Sequence, residues 1–228
     1  RARAIEAVQV SRFLKGSLIL EMKGMTETDR LLLLERHLIS RELMSGSGEK
    51  AVVVSDREII SIMVNEEDHL RLQVLQSGFN LPEAWTLLAQ VSDDLEKSLR
   101  YAFLPDWGYL TACPTNVGTG MRASCMLHLP CLVMTKQVNR VLHAVTRLGL
   151  AVRGFYGEGT EATGNFFQLS NQVTLGLSEE ETLDNLGRLI RQVVEQEEAA
   201  RKALIAQSKD TLEDRIWRAY GTLKSAHL

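Results

Sequence analysis

Apolar positions along the chain fall into helical and alternating rhythms. Ile5, Val8 and Phe13 or Leu14 recur at helical spacing between Ala4 and Leu14. Leu18-Ile19-Leu20 reads as a short strand. Thr26-Glu27-Thr28-Asp29 supplies capping residues before a second helix, Leu31 to Leu38. Ser45-Gly46-Ser47-Gly48 is a loop. Ala51 to Ser55 and Glu58 to Val64 predict two strands joined at Asp56-Arg57, and Asp68 to Leu75 completes an antiparallel meander. Pro82 opens a helix to about Arg100, with Trp85, Leu88, Val91, Leu95 and Leu99 on one face. Gly108 to Pro130 reads as strand and loop, and Thr135 to Leu148 as helix. Ala151 to Phe155 and Asn165 to Leu169 predict strands on either side of the glycine-rich loop Gly157 to Gly164. A capping box at Ser178-Glu179-Glu180-Glu181 opens a long helix to about Gln207. Asp210 with Glu213 caps a last helix that Gly221 stops. The mixture lacks regular βαβ alternation. It therefore predicts an α+β fold, an antiparallel β-sheet flanked by helices.

One stretch breaks the pattern by its density of chemistry. Val64-Asn65-Glu66-Glu67-Asp68-His69-Leu70-Arg71-Leu72-Gln73 sets three acids, a histidine and an arginine behind the apolar run Ile59 to Val64. Read as extended chain, Glu67, His69, Arg71 and Gln73 share one face, and Leu70, Leu72 and Val74 share the other. The plain alternative is a half-buried strand with a solvated polar face.

Composition narrows the classes. Hydrophobic residues at 45% and charged residues at 24% are those of an ordinary globular chain. A net charge of −3 supplies no overall cationic field for nucleic acid or membrane surfaces, so neither partner is expected. The three cysteines, Cys113, Cys125 and Cys131, make no disulfide framework and fit a reducing, cytoplasmic setting. No apolar run approaches a membrane span, and no signal peptide is visible. The chain begins at Arg1, in what reads as the middle of a helix, and is expected to be a fragment.

Two further stretches carry candidate chemistry. Cys113-Pro114-Thr115-Asn116-Val117-Gly118-Thr119-Gly120-Met121-Arg122-Ala123-Ser124 combines glycines that let backbone approach a ligand with hydroxyl and amide groups. Arg122 and Ser124 are expected on one face of the strand that follows. No histidine is placed by sequence to activate Cys113 as a covalent nucleophile, and a loop with a buried thiol is the plain reading. Arg153-Gly154-Phe155-Tyr156-Gly157-Glu158-Gly159-Thr160-Glu161 is a loop with two acids that can close over a site, or simply a surface loop. A Gly-x-x-x-x-Gly-Lys-Ser/Thr loop, the His-Arg-Asp and Asp-Phe-Gly sets of ordinary protein kinases, and zinc-like Cys/His spacing are all missing. His128 and His143 are expected to be structural, in apolar surroundings.

Taken together, Asn65 to Arg71 and Cys113 to Ala123 resemble the phosphagen (guanidino) kinase family, which includes creatine kinase and arginine kinase. The resemblance runs from about His37 to Gly221. Arg36-His37-Leu38-Ile39-Ser40, Arg153-Gly154-Phe155-Tyr156-Gly157-Glu158-Gly159 and Ser170 to Gly176 look most like its bacterial branch, the protein-arginine kinases. Small-substrate members tend to carry arginines where this chain has Tyr156 and Thr174. The resemblance implies the family's C-terminal catalytic domain, glutamine-synthetase-like in fold, over residues 1–228. A nucleotide-binding segment would precede it and a phosphoarginine-binding domain would follow.

The same resemblance implies roles. A guanidinium stays protonated at physiological pH and is a poor nucleophile, so a carboxylate must orient it and accept a proton. Glu67 would do this with Glu161 as second clamp, and Glu66 and Glu158 are the alternatives. Glu66 is otherwise a magnesium-shell or structural acid. Cys113 would be the reactive cysteine beside the guanidino group. ATP would be held by His37, Arg71, Arg122, Ala123, Ser124, Cys125, Met126, Arg153, Gly154, Phe155, Tyr156, Gly157 and Glu158. Mg²⁺ is expected on phosphate oxygens and water, with no protein ligand assigned. Implied partners are proteins with exposed arginines, a heat-shock repressor and a chaperone–protease, and a homodimer is compatible. The competing readings are a small-guanidine phosphagen kinase and a non-catalytic adaptor with the same fold.

Overall fold

Residues running from Ala51 to Val64 are apolar at almost every strand position, the pattern of a sheet covered on both faces. The computed structural model, which describes residues 1–154 and 163–226, has this arrangement. β1 (Leu18–Glu21), β2 (Ala51–Val54), β3 (Ile60–Val64) and β4 (Leu70–Val74) pair antiparallel in sequence order. The register sets Ile19 against Val53, Val53 against Ile62 and Ile62 against Leu72. Every residue of β2 and β3 is buried.

Alternation divides those strands between two cores. Ala51, Val53, Ile60, Ile62 and Val64 pack with Ala7 and Val8 of α1 (Ala2–Val10) and with Val91 and Leu95 of α4 (Leu81–Glu96). Leu87 and Leu99 join this core. Val52, Val54 and Met63 point the other way. They pack with Leu33 and Leu34 of α2 (Glu27–Glu35), with Leu38 and Ile39, and with Leu43 of α3 (Arg41–Ser45). Thr26 caps α2 through the Asp29 amide, as its side-chain chemistry predicts. The helix ends at Glu35 rather than Leu38, because His37 takes a left-handed conformation, φ 57°.

These elements, with the hairpin β5 (Phe103–Leu104) and β6 (Gly108–Tyr109), belong to one compact unit, residues 1–122 and 173–183. A second unit comprises 123–172 and the chain from 184 onward. Its sheet has the order β7-β9-β8, all antiparallel: β7 (Ser124–His128), β8 (Leu150–Arg153), β9 (Phe166–Asn171). α6 (Val138–Arg147) packs on β8. α5 (Pro130–Met134) is capped from far away in sequence: the buried Glu197 carboxylate accepts the Cys131 and Leu132 amides, both at 2.9 Å. Glu197 lies on α7 (Glu179–Ser225), whose reciprocal Ser178–Glu181 box forms as expected. α7 is broken at Ser208 (φ −149°, ψ 40°), beside the predicted end at Gln207. It then continues past Gly221, which is exposed and costs a helix only about 1 kcal/mol.

The α+β reading with antiparallel sheets and flanking helices is what the chain adopts. Among the described residues no helix is long and apolar enough to cross a membrane. His128 and His143 are solvent-exposed rather than set among apolar groups; His128 stacks on its cross-strand partner Phe166, with ring centroids 4.7 Å apart.

Candidate active site

The acidic stretch is a hairpin tip, not a strand. β3 ends at Val64 and β4 begins at Leu70, so residues 65–69 are the connection between them. Asn65 turns the chain with φ 58°, and its amide donates to the His69 carbonyl at 3.0 Å. Alternation therefore holds only for Arg71 and Gln73. Glu67 and His69, expected on the same strand face, sit in the turn instead.

The two neighbouring glutamates have opposite surroundings. The Glu66 side chain is 2% exposed. It accepts hydrogen bonds from Ser40 Oγ, from the Glu67 amide at 3.0 Å and from Arg71 Nη1 at 3.1 Å. Ser40 also caps α3 through the Leu43 amide, so the cap and the acid share one hydroxyl. Glu67 is exposed at the tip. Of the two candidate bases, Glu66 is thus committed to orienting Arg71, and Glu67 presents its carboxylate to solvent.

The segment before Ser40 is tied to the same strand. The His37 carbonyl accepts from Gln73 Nε2, and burial pushes the His37 imidazole below its ordinary pKa. Arg36 pairs with Glu58.

Cys113 N-caps a 3₁₀ turn, Pro114–Asn116. Asp68 caps that turn from the hairpin tip: Oδ1 accepts the Cys113 amide at 3.0 Å and Oδ2 accepts Asn116 Nδ2 at 2.8 Å. Cys113 Sγ lies 3.1 Å from Thr115 Oγ1. The far end of the loop is held by Thr174. Its hydroxyl reaches the carbonyls of Thr115 and Val117 at 3.0 and 2.7 Å, and its carbonyl accepts the Thr119 amide at 2.9 Å. Gly118, at φ 113°, is required there, since a Cβ would stand 2.1 Å from the Thr174 carbonyl oxygen.

Arg122 is exposed and lies ahead of β7, which starts at Ser124, so the two do not share a strand face as expected. In the second unit, Ala123 is clamped by Asn171, whose Oδ1 accepts the Ala123 amide at 2.8 Å. Gln168 Nε2 donates to Ser124 Oγ at 3.0 Å. Cys125 is half-buried, which pushes its thiol up to about 11; Met126 is exposed. Arg153 ends β8 and Gly154 is buried. Phe155, Tyr156, Gly157, Glu158 and Glu161 lie outside the described residues.

Within the first unit the fold thus brings together Glu66, Glu67, Arg71 and, through Asp68, Cys113. Ser40, Asp68, Asn171 and Thr174 take part without a sequence signal that marks them. Asp68 sits inside the acidic motif and Thr174 in the stretch Ser170 to Gly176; neither spacing nor composition reveals the long-range bonds they make.

The chain matches the family model described as ATP:guanido phosphotransferase, C-terminal catalytic domain, over residues 3–200. Protein-arginine kinase of Desulforamulus reducens is 57% identical over 210 residues, covering 91% of this chain, and this chain spans 59% of that protein. The protein-arginine kinase of Moorella thermoacetica is 53% identical over 227 residues, covering 100% of this chain and 65% of its own length. Similar solved structures include a duplicated taurocyamine kinase from Schistosoma mansoni with bound transition state analog components. Its TM-score is 0.73 at 28% identity, covering 86% of this chain and 28% of that one. Lombricine kinase has a TM-score of 0.71 at 25% identity, covering 92% and 61%. With a match that runs from the first helix far into α7, the chain belongs to the ATP:guanido phosphotransferase family and carries its C-terminal catalytic domain.

Proposed function

We propose that the protein is an ATP-dependent protein-arginine kinase, moving the γ-phosphate of ATP to the guanidino group of arginine side chains in proteins. The observation that carries this reading is the identity of 51–57% to protein-arginine kinases over most of the chain. The hairpin tip is consistent with it, since it offers one exposed acid beside a buried acid that holds an exposed arginine.

In the reaction a guanidino nitrogen attacks the γ-phosphorus. The N–P bond forms, the bond to the β–γ bridging oxygen breaks, and ADP leaves. Glu67 pairs with the planar guanidinium and takes the proton that the attacking nitrogen loses. Glu161, or Glu158, is the second clamp. Charge on the transferring group is met by Arg71, Arg122 and Arg153, so catalysis rests on positioning and electrostatics. Arg71 is oriented for this by Glu66. His37, Ala123 to Met126 and Gly154 to Glu158 line the nucleotide, and Cys113 tunes the guanidino site. Glu66 is engaged by Ser40, Arg71 and the Glu67 amide. Glu66 is thus not left to hold Mg²⁺, which would come with the nucleotide and would supply charge neutralisation there.

In this reading the setting is cytoplasmic, and the protein substrates include a heat-shock repressor and clients of a chaperone–protease. The test is a phosphorylation assay of the full-length protein with ATP and an unstructured protein, free L-arginine or creatine. Acid-labile phosphate on protein arginines, with both small guanidines almost untouched, is expected. Efficient turnover of either small guanidine without protein labelling would replace this reading with a phosphagen kinase. No transfer to any acceptor would leave an adaptor.

A further inference from the structure

The Cys113–Thr119 loop is fastened at both ends by side chains remote in sequence. One of them, Asp68, is the immediate neighbour of Glu67. We propose that Asp68 is a positioning residue, whose carboxylate fixes the Cys113 thiol loop against the hairpin tip that presents Glu67. The inference rests on the kinase reading for its consequence in turnover, but not for its geometry.

Consider first what the turn would lack without it. Cys113 is the N-cap of a 3₁₀ turn and has no side-chain capping bond of its own within that turn. Such a start leaves amides without partners. Asp68 supplies an anionic acceptor to the first of them, at 3.0 Å, and takes Asn116 Nδ2 on its other oxygen at 2.8 Å. The carboxylate thus spans the whole turn, from its cap to its last residue. Bonds to an ionised acceptor are shorter and stronger than neutral ones.

The chain path gives this a consequence. Asp68 cannot move without moving Glu67, since consecutive Cα atoms are fixed about 3.8 Å apart. The hairpin is itself anchored: Glu66, on the other side of Glu67, is buried and bonded to Ser40 and Arg71. Glu67 therefore stands between two fixed acids, one holding an arginine and the other holding the thiol loop. Thr174 restrains the loop's far end. With the far end held, loss of Asp68 frees chiefly the end that bears Cys113.

The experiment measures native-state alkylation of each cysteine by iodoacetamide in the full-length protein, read by mass spectrometry. The parent is compared with Asp68→Asn, with Asn116→Asp and with the two combined. Asp68→Asn alone turns an amide donor toward the Asn116 amide or the Cys113 N–H. Asn116→Asp alone sets two carboxylates together. Combined, the amide at 68 keeps its oxygen on the Cys113 N–H and gives its NH₂ to the new carboxylate. Each single change should speed Cys113 labelling about tenfold, the low end for a charge-assisted bond, and leave Cys125 and Cys131 unchanged. The exchange should restore the parent rate. In the activity assay, Asp68→Asn should lower kcat about tenfold or more while KM for ATP holds, and the exchange should recover it. Unchanged Cys113 labelling in the single variants overturns the proposal. So does labelling of all three cysteines rising together, which marks general destabilisation, and so does failure of the exchange to restore the rate. An unphosphorylating parent would end the kinase reading, while the labelling arm would still decide this one.

Discussion

The two sheets present their residues in opposite ways. In the first, β2 and β3 are buried along their whole length and shared by two cores, one on each face. Nothing on those strands can meet a ligand, and the candidate acids lie instead at the hairpin tip, residues 65–69. In the second, β7 is buried at no position and β8 at one, and four of the residues expected on the nucleotide, Ser124, Cys125, Met126 and Arg153, lie on the strands themselves. A rigid frame that carries acids on a short turn gives precision of position. A half-open strand gives contact surface. Substitutions should therefore separate: at the tip they cost turnover, in the first sheet they cost stability, and on β7 they cost little of either except ligand affinity.

The largest expected effect is at the tip. Glu67→Gln removes the proposed proton acceptor and keeps the shape, so turnover should fall about 10²–10⁴-fold with the melting temperature unchanged. Near-normal turnover in the full-length enzyme would take Glu67 out of the mechanism. Next is the frame. Ile62 is fully buried in the middle of β3, and Ile62→Ala should cost about 2–5 kcal/mol in denaturant unfolding. Met126→Ala on β7, where the side chain is 38% exposed, should cost about 0.5 kcal/mol and act on KM for ATP. Comparable stability losses at the two sites would erase the contrast.

The frame is also the part the sequence made legible. The apolar run of β2, continued in β3 with Ser61 alone interrupting it, and the capping chemistry of Thr26 and Ser178 are local signals, and each forms as read. α3 and α5 leave no sequence signal, because five-residue helices are too short for a 3.6-residue period to show. The hairpin tip reads as extended chain because His69 and Arg71 alternate with Leu70 and Leu72 and the three acids run directly into them. The Asn65 turn outweighs that alternation. Ser40, Asp68, Thr174 and Glu197 act on partners 26 to 66 residues away, and no spacing rule reaches that far.

Thr174 tests whether the thiol loop belongs with the rigid frame. Thr174→Val keeps the volume and removes the hydroxyl that serves the Thr115 and Val117 carbonyls. The residue is 7% exposed, so those carbonyls are poorly placed to find water instead. A loss of about 1–3 kcal/mol is expected, with Cys113 labelling faster than in the parent. A fully stable variant with parental labelling would show that Gly118 and the Thr119 amide bond suffice to hold the loop.

The smallest expected effect sharpens the comparison from the frame's outer edge. Asp94 on α4 is held at about 2, below its ordinary 3.8, first by Lys97, then by the Ser11 hydroxyl and the Arg12 amide. These bonds fasten the end of α1 to α4, above the core that covers β2 and β3. A carboxylate whose folded pKa is depressed contributes stability above its ordinary pKa. That contribution is lost as pH falls from about 3.8 toward about 2. The melting temperature of the parent should therefore fall more steeply across that window than that of Asp94→Asn, and the two should run parallel above pH 5, where the carboxylate stays ionised in both folded and unfolded chains. Parallel curves through the whole acid range would mean that Asp94 is as free in the folded protein as in the unfolded one, and that the α1–α4 junction rests on its apolar contacts alone.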